Sequence, residues 1–216
     1  MKKFIASCLL LPCLLFYPFA TAALPQVLEE MFIAVNLGNT GSVEELLQQG
    51  VDPDVQDVQG YSALMIAARE GQLEVAKLLM AHGAKVYKRN QFGETALMLA
   101  AYNGHNALID LLITHGATLN ANRNGWTSLM YAAFAGQTST VKQLLAYGEP
   151  VDARTSAGMT ALMLASRQGH IEVVALLLRL GADPNLKSAN GQSAMQMALG
   201  NGNTDIAELL LQAGAK

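Results

Sequence analysis

The sequence predicts an all-α solenoid, a stack of short helical units, and three observations support this fold class. Five glycines recur at an almost constant spacing, namely Gly60, Gly93, Gly125, Gly158 and Gly191. Each of the first four is followed by nearly the same phrase, in which Leu-Met precedes a run of small and apolar residues. A second glycine series follows the first at a constant offset, at Gly83, Gly116, Gly148, Gly181 and Gly214. A fixed period of about 33 residues is typical of stacked repeats, which present an extended binding surface.

Each repeat is predicted to contain a turn, a helix, a second turn, a second helix and a loop. In the first full repeat, Gly60 opens a turn and Ser62 is placed as an N-cap, since its hydroxyl can accept a hydrogen bond from the first helical turn. Gly71 ends that helix, and residues 73–79 form the wide apolar stripe of a second one. Gly83 closes the unit, because glycine adopts a left-handed conformation without strain. The equivalent N-cap positions hold Thr95, Thr127, Thr160 and Ser193.

The repeated phrase resembles that of one known family. Thr-Ala-Leu-Met begins at Thr95 and at Thr160, close to the Thr-Pro-Leu-His phrase of ankyrin repeats. The Gly-His pair of that family stands at Gly104-His105, and its Gly-Ala-Asp phrase begins at Gly181. The chain therefore resembles an ankyrin-repeat protein from about residue 27 to 216. It departs from the family in placing alanine or serine in the proline slot, and methionine in most histidine slots.

The resemblance implies helix-turn-helix units joined by hairpin-like loops, with one N-terminal capping repeat and five repeats. The cap lacks the opening phrase and carries Glu29, Glu30, Glu44 and Glu45, which suits a terminal unit with a polar outer side. The last repeat doubles as the C-terminal cap. The predicted organisation is a signal peptide at 1–22, a short leader at 23–26, the N-terminal capping repeat at 27–56, and repeats at 57–89, 90–122, 123–154, 155–187 and 188–216.

The N-terminal segment 1–22 has the pattern of a secretory signal peptide. Lys2 and Lys3 precede an uncharged, almost wholly apolar run over residues 4–19. Ala20-Thr21-Ala22 then supplies small residues for a signal peptidase, which predicts cleavage between Ala22 and Ala23. We expect an exported protein of the bacterial periplasm, with secretion as the second choice.

Two alternatives for this segment remain open. An uncleaved membrane anchor is one, although the apolar run is interrupted by Pro12 and Pro18 and is short for a span of about 20 residues. A lipoprotein is the other, because residues 5–8 resemble a lipidation box, although Cys8 precedes most of the apolar run. Membrane association is expected only in these two cases.

Composition excludes several classes of partner. Both cysteines, Cys8 and Cys13, lie in the predicted signal peptide, so the mature chain would contain none and could form no disulfide. Without Lys2 and Lys3, the mature chain has 12 basic and 17 acidic residues, a net charge near −5. No basic run survives, so neither nucleic acid nor anionic lipid is an expected partner.

The sequence predicts no catalytic residue, no metal site, no cofactor and no small-molecule substrate. Met65, Met98, Met130 and Met163 recur once per repeat, as a spaced column that suits packing between helices better than binding copper. The four histidines occupy slots that ankyrin repeats often fill with histidine, without Cys, Asp or Glu at metal-ligand spacing. The serines that begin helices are explained as caps, and no phosphate-binding or nucleophile motif occurs. An enzyme remains an alternative only if the loops assemble a site that no motif reveals.

The resemblance places the candidate binding surface on the concave side, formed by the loop tips and the exposed side of each first helix. Five of the nine aromatic residues of the mature chain fall in these slots, together with charged residues beside them. The candidate partner-binding residues are Tyr61, Arg69, Phe92, Glu94, Tyr102, Trp126, Phe134 and Arg167, with Tyr131 expected to lie partly buried beside them. Clustered aromatic side chains and arginine dominate many protein interfaces. The alternative is that the rings pack against neighbouring loops and stiffen the array.

We therefore expect a non-catalytic interaction module or scaffold that holds a folded protein on its concave aromatic face. It resembles the small exported ankyrin-repeat proteins of bacteria, which implies a role in supporting or restraining another periplasmic enzyme, such as an oxidative-stress enzyme or a toxin. A periplasmic immunity protein or inhibitor is the alternative within the same class.

Overall fold

The computed structural model describes residues 20–119 and 124–216, with side chains from residue 26 onward. These residues form twelve α-helices and no strand, apart from one isolated bridge between Gln56 and Ser62. The helices are α1 (Ala20–Asn36), α2 (Thr40–Gln48), α3 (Ala63–Glu70), α4 (Leu73–Ala81), α5 (Ala96–Asn103), α6 (Asn106–Thr114), α7 (Ser128–Phe134), α8 (Thr138–Ala146), α9 (Ala161–Gln168), α10 (Ile171–Arg179), α11 (Ala194–Gly200) and α12 (Thr204–Gln212).

The predicted caps of the first helices are confirmed. In every full repeat the predicted serine or threonine is the N-cap, and its hydroxyl accepts a hydrogen bond from the amide three residues later. At Ser193 the cap is reinforced, because the Gln196 side chain accepts a hydrogen bond from the Ser193 amide in return. The closing glycine of the first full repeat, Gly83, has φ +91°, the left-handed conformation that ends a helix.

The twelve described helices stack in two layers. The first helices of successive units (α1, α3, α5, α7, α9 and α11) pack against one another, and the second helices form the other layer. Their facing sides bury an uninterrupted apolar core that includes Leu97, Leu129 and Leu144. Adjacent loops are also joined, as where the Gln91 amide donates to the Gln59 carbonyl at 3.1 Å. The predicted all-α repeat solenoid is confirmed.

The N-terminal helix extends across two of the predicted boundaries. α1 begins at Ala20, so it includes the predicted leader at 23–26 and the predicted cleavage point between Ala22 and Ala23. Cleavage at that point stays a prediction. The rest of the predicted signal peptide, including Cys8 and Cys13, lies outside the described residues. No described helix is long and apolar enough to cross a membrane.

Candidate functional site

Five of the predicted binding residues line one surface cavity, which we call the aromatic cavity. It has a volume of about 300 Å³ and lies where the loops and first helices of successive repeats meet. Its lining residues are Phe92, Glu94, Tyr102, Asn124, Trp126, Tyr131 and Phe134. Besides the five predicted residues, the lining includes Tyr131, which the sequence places partly buried beside them, and Asn124, which stands directly before the opening Gly125 of its repeat.

Four rings of the aromatic cavity, those of Tyr102, Trp126, Tyr131 and Phe134, are in contact with one another. The ring centres of Trp126 and Tyr131 lie 5.3 Å apart, and those of Trp126 and Phe134 lie 5.6 Å apart in an edge-to-face arrangement. Tyr102 stacks on the other side of this group, 6.4 Å from Phe134. Tilted and offset arrangements of this kind are the favourable ones for aromatic pairs. These four rings therefore form one packed aromatic cluster in the wall of the cavity.

Glu94 supplies the carboxylate of the cavity and joins three repeats. The Tyr131 hydroxyl donates to its Oε1 at 2.8 Å, and the Asn90 side-chain amide donates to its Oε2 at 2.7 Å. The Tyr61 hydroxyl makes a longer contact with Oε2, at 3.4 Å. Burial and the neighbouring Glu94 carboxylate raise the pKa of Tyr61, so that hydroxyl stays protonated and can donate. All three donors are neutral groups.

The loop that carries Phe92 and Glu94 is fixed by its own Asn90. The Asn90 side-chain oxygen accepts from the amides of Phe92 and Glu94, at 3.0 and 2.9 Å. The Asn90 amide also donates to the Glu94 carbonyl at 3.1 Å, which closes the turn. Asn90 is buried, so these bonds hold both side chains at the cavity edge. Its role was not predicted, although its position before a loop glycine is visible in the sequence.

The three remaining predicted residues flank the aromatic cavity through cation–π contacts. The Arg69 guanidinium lies 5.7 Å from the centre of the Tyr61 ring, and the Arg167 guanidinium lies 6.0 Å from that of Phe134. Arg69 is also paired with Glu70, at 2.6 Å. Distances of up to about 6 Å between a guanidinium and a ring centre are attractive. All eight predicted residues therefore belong to one connected surface.

Exposure divides these aromatic side chains into two groups. Phe92 and Tyr102 are 53% and 42% exposed, so large parts of both rings face solvent. Tyr61, Trp126 and Phe134 are half-buried and pack against the core. The half-buried rings pack in the way that the stiffening interpretation expects, whereas Phe92 and Tyr102 keep large parts of their rings in solvent, as the binding interpretation requires.

A second surface feature was not predicted. An apolar groove of about 800 Å³ lies between α1, α3 and the loop at Val58, and includes Phe32, Ile33, Leu37 and Ile66. Leu37 is 72% exposed and Val58 is fully exposed. Arg69 lines this groove and also lies over Tyr61 of the aromatic surface, so the two features adjoin. The sequence does contain a sign of this groove, because the apolar Leu37 stands just before the Gly38 turn. The repeat pattern, however, only assigns Leu37 to the N-terminal cap and does not indicate a groove.

Neither the methionines nor the charged residues form a metal site within the described residues. Met65, Met98, Met130 and Met163 are at most 1% exposed and lie in the core. Residues 20–119 and 124–216 contain no group of three His, Cys, Asp or Glu residues placed to hold a metal ion.

Comparison with known proteins gives matches over the repeats. A family model for ankyrin repeats matches three times, over residues 31–90, 83–155 and 129–216. Ankyrin repeat domain-containing protein 39 of Homo sapiens is 37% identical over 75 residues, which cover 32% of this chain and 41% of that protein. The potassium channel AKT2/3 of Arabidopsis thaliana is 30% identical over 66 residues, covering 31% of this chain and 8% of the channel. The chain thus spans less than half the length of these relatives, and what is shared is the repeat.

Proposed function

Because the chain belongs to the ankyrin-repeat family, whose repeats form protein–protein interaction modules, we propose that it binds a folded protein partner on its concave aromatic face in the bacterial periplasm. The family is typically non-catalytic, and we propose that this member has no catalytic activity of its own. Its action on the partner, whether support or inhibition, is then exerted through binding alone.

The observation that carries the proposal is the aromatic cavity with its exposed edge. Phe92 and Tyr102 present large apolar surfaces to solvent beside the hydrogen-bonded Glu94 carboxylate, and neither ring belongs to the apolar core of the stack. Exposed aromatic groups of this size favour binding, because covering them removes apolar surface from water. The adjoining apolar groove at Leu37 and Val58 extends the same kind of surface toward the N-terminal end.

The test compares partner capture by the original protein and by a Phe92→Ala/Tyr102→Ala variant. Both side chains are exposed, so the variant should keep the helical circular dichroism of the original. Tyr147→Ala is the matched control, since Tyr147 is also 42% exposed but lies at the end of α8, in the other helix layer. The purified proteins are immobilised and exposed to periplasmic extract.

We expect the original and the Tyr147→Ala control to capture one and the same protein. The double variant should bind it at least about tenfold more weakly, which is the loss expected when an aromatic hot spot of an interface is truncated. Equal capture by all three proteins would place the interface elsewhere and contradict the proposal. The activity of the captured partner then separates two roles: retained activity indicates a scaffold, and lost activity indicates an inhibitor or immunity protein.

The periplasmic location rests on the N-terminal sequence and has its own measurement. Intact mass spectrometry of the protein purified from its bacterium should give the mass of a chain that begins at Ala23. The mass of a chain that includes residues 1–22 would contradict cleavage, and the mass of a chain that begins with a lipid-modified Cys8 would indicate a lipoprotein. Fractionation of the periplasm completes the test.

A further inference from the structure

We propose that Arg167 is a specificity-determining residue of the concave face, where it binds a carboxylate group presented by the protein partner. This inference rests on the proposed function, because it names the chemistry by which that face would recognise a partner. It follows from a comparison between Arg167 and Arg69, which occupy the same position in two different repeats.

Arg69 shows where an arginine at this position finds its counter-charge. Arg69 and Arg167 each stand two residues before the glycine that caps the end of a first helix, in α3 and α9. Both side chains are half-buried, and both guanidinium groups lie over an aromatic ring, 5.7 and 6.0 Å from the ring centre. Arg69 is followed by Glu70, whose carboxylate lies 2.6 Å from the Arg69 Nε. Arg167 is followed instead by the neutral Gln168.

No carboxylate side chain of this chain neutralises Arg167. Arg167 takes part in none of the ion pairs of the described residues. The basic residues that do are Arg69, Lys77, His82, Lys85 and Lys88. The side chains that the structure does not describe, those of residues 1–25 and 120–123, include no Asp or Glu. The counter-charge that Glu70 provides for Arg69 must therefore come to Arg167 from another molecule.

The Arg167 side chain is positioned for such a contact. Its guanidinium lies over the Phe134 ring of the preceding repeat, and a guanidinium over a ring face can still donate from the edge of its plane. The backbone is held as well, because the Asn203 side-chain amide donates to the carbonyls of Ser166 and Arg167, at 2.9 and 3.3 Å. The planar group can give two parallel hydrogen bonds to one carboxylate, which is the strong arrangement for this pair.

The position of Arg167 is continuous with the aromatic surface. Phe134, which lies under the guanidinium, is one of the residues that line the aromatic cavity. The ring centre of Phe134 is 6.4 Å from that of Tyr102, one of the two exposed rings. One loop of a partner can therefore cover Tyr102 with apolar atoms and place an Asp or Glu side chain at Arg167. Arginine and aromatic residues together dominate many binding hot spots.

The comparison with Arg69 also supplies the test. Gln168→Glu places an internal carboxylate beside Arg167, as Glu70 stands beside Arg69, and this carboxylate competes with that of the partner. Gln168 is exposed, so the variant should keep the helical circular dichroism of the original. Gln212→Glu is the matched control, because it adds the same charge at an exposed position of α12, in the other helix layer.

A second pair of variants removes a positive charge. Arg167→Gln removes the proposed carboxylate-binding group, and Arg179→Gln removes an exposed arginine at the end of α10 as its control. The affinity for the partner captured in the test above is measured at constant ionic strength. We expect Gln168→Glu and Arg167→Gln each to weaken binding by about tenfold, the effect of losing an arginine hot spot, with no change for the two controls. Unchanged binding by Gln168→Glu or by Arg167→Gln would overturn the inference.

A further measurement needs no partner. In isotope-labelled protein at mildly acidic pH, the Nε–H signal of Arg167 is followed by nuclear magnetic resonance during titration with N-acetyl-glutamate methylamide. The glutamine analogue is the neutral control, the loss of the signal in Arg167→Lys assigns it, and the Arg179 signal is the reference. We expect the glutamate probe alone to shift the Arg167 signal, at lower concentration than it shifts that of Arg179. Equal responses of the two arginines, or equal shifts with the two probes, would contradict the proposed role.

Failure of this inference is distinguishable from failure of the proposed function. If Gln168→Glu and Arg167→Gln capture the partner as well as the original does, while Phe92→Ala/Tyr102→Ala does not, the concave face is the interface but the carboxylate inference is wrong. If the two Arg167-directed variants lose the partner and the double aromatic variant keeps it, Arg167 binds the partner and the proposed aromatic interface is wrong.

Discussion

At the scale of single residues, Glu149 is the least expected feature of the core. It follows the closing Gly148, where the other full repeats hold Ala84, Ala117, Ala182 and Ala215. Its side chain is 3% exposed, and its Oε1 accepts from the Leu129 amide at 3.0 Å, inside the first turn of α7. Oε2 has no hydrogen-bond partner within the described residues. Glu149 thus ties two helices together, but with a carboxylate that is only half satisfied.

Burial has a predictable effect on the titration of Glu149. Desolvation raises the pKa of Glu149 to about 7, although hydrogen bonds from the Thr127 hydroxyl and the Leu129 amide oppose the shift. Between about pH 4.5, the ordinary value, and pH 7, the folded chain therefore binds more protons than the unfolded chain. The free energy of unfolding should fall as pH rises through this interval, by roughly 3 kcal/mol in total. Below this pH interval the Glu149 carboxyl is protonated in both the folded and the unfolded chain, and above it the loss of stability is complete.

Glu149→Gln tests this prediction. The amide oxygen can still accept from Leu129 and does not ionise, so the variant should be more stable than the original at pH 8 and about equal to it near pH 4.5. Urea unfolding at several pH values measures the difference, with the exposed Glu208→Gln as control. A variant whose stability stays parallel to that of the original at every pH would show that Glu149 does not titrate in this range.

At the scale of the helix, one side chain per repeat connects successive units. In each full repeat, the residue before the second helix donates a hydrogen bond to a backbone carbonyl near the end of the first helix of the preceding unit. The donors are Gln72, His105, Gln137, His170 and Asn203. His105 Nε2 lies 3.1 Å from the Arg69 carbonyl, and a carbonyl can only accept, so this nitrogen carries the proton. The position of Gly71, which ends α3 in the preceding repeat, favours glycine for two reasons: its φ is +77°, and a Cβ there would lie 2.7 Å from the His105 ring.

These connecting side chains allow a prediction with a control from the chain itself. His105→Ala should lower the free energy of unfolding by about 1 kcal/mol, through the lost hydrogen bond. His105→Gln should recover most of that loss, because Gln72 and Gln137 perform the same task in neighbouring repeats. Urea unfolding of the three proteins provides the comparison. A Gln variant as unstable as the Ala variant would mean that ring packing, and not the hydrogen bond, is what matters.

At the scale of the molecule, the periodicity was sufficient to predict the fold. Caps such as Ser62 and closing glycines such as Gly83 were predictable because each depends only on its own few residues. The start of α1 at Ala20 was not, since a helix can begin inside a run of small apolar residues without any cap signal.

The candidate site was predictable by position and not by chemistry. The repeat slots brought Phe92, Trp126 and Phe134 together correctly, because equivalent positions in a stack lie on one face. The hydrogen bonds of Glu94 to Asn90 and Tyr131 could not be predicted, since they depend on side-chain conformations in different repeats. The way in which Glu94 connects three repeats became visible only with those contacts.

The stacked architecture also predicts how stability is distributed along the chain. Each helix packs on helices of its own and the adjacent units, so among the residues that the structure describes the last pair, α11 and α12, is covered by a neighbouring unit on one side only. Leu144 in α8 and Leu210 in α12 occupy the same slot, and both are fully buried. Replacing either by alanine removes a similar volume, with an intrinsic cost of about 2–5 kcal/mol.

The two substitutions should nevertheless differ in how far their effect spreads. For Leu210→Ala, local unfolding of α11 and α12 can limit the loss of stability to the last pair. For Leu144→Ala, the loss of stability affects the units on both sides of α8. Hydrogen exchange should therefore show that Leu210→Ala speeds exchange in α11 and α12 alone, while Leu144→Ala speeds it from α5 to α10. The same exchange pattern for the two variants would mean that the whole array unfolds as one cooperative unit.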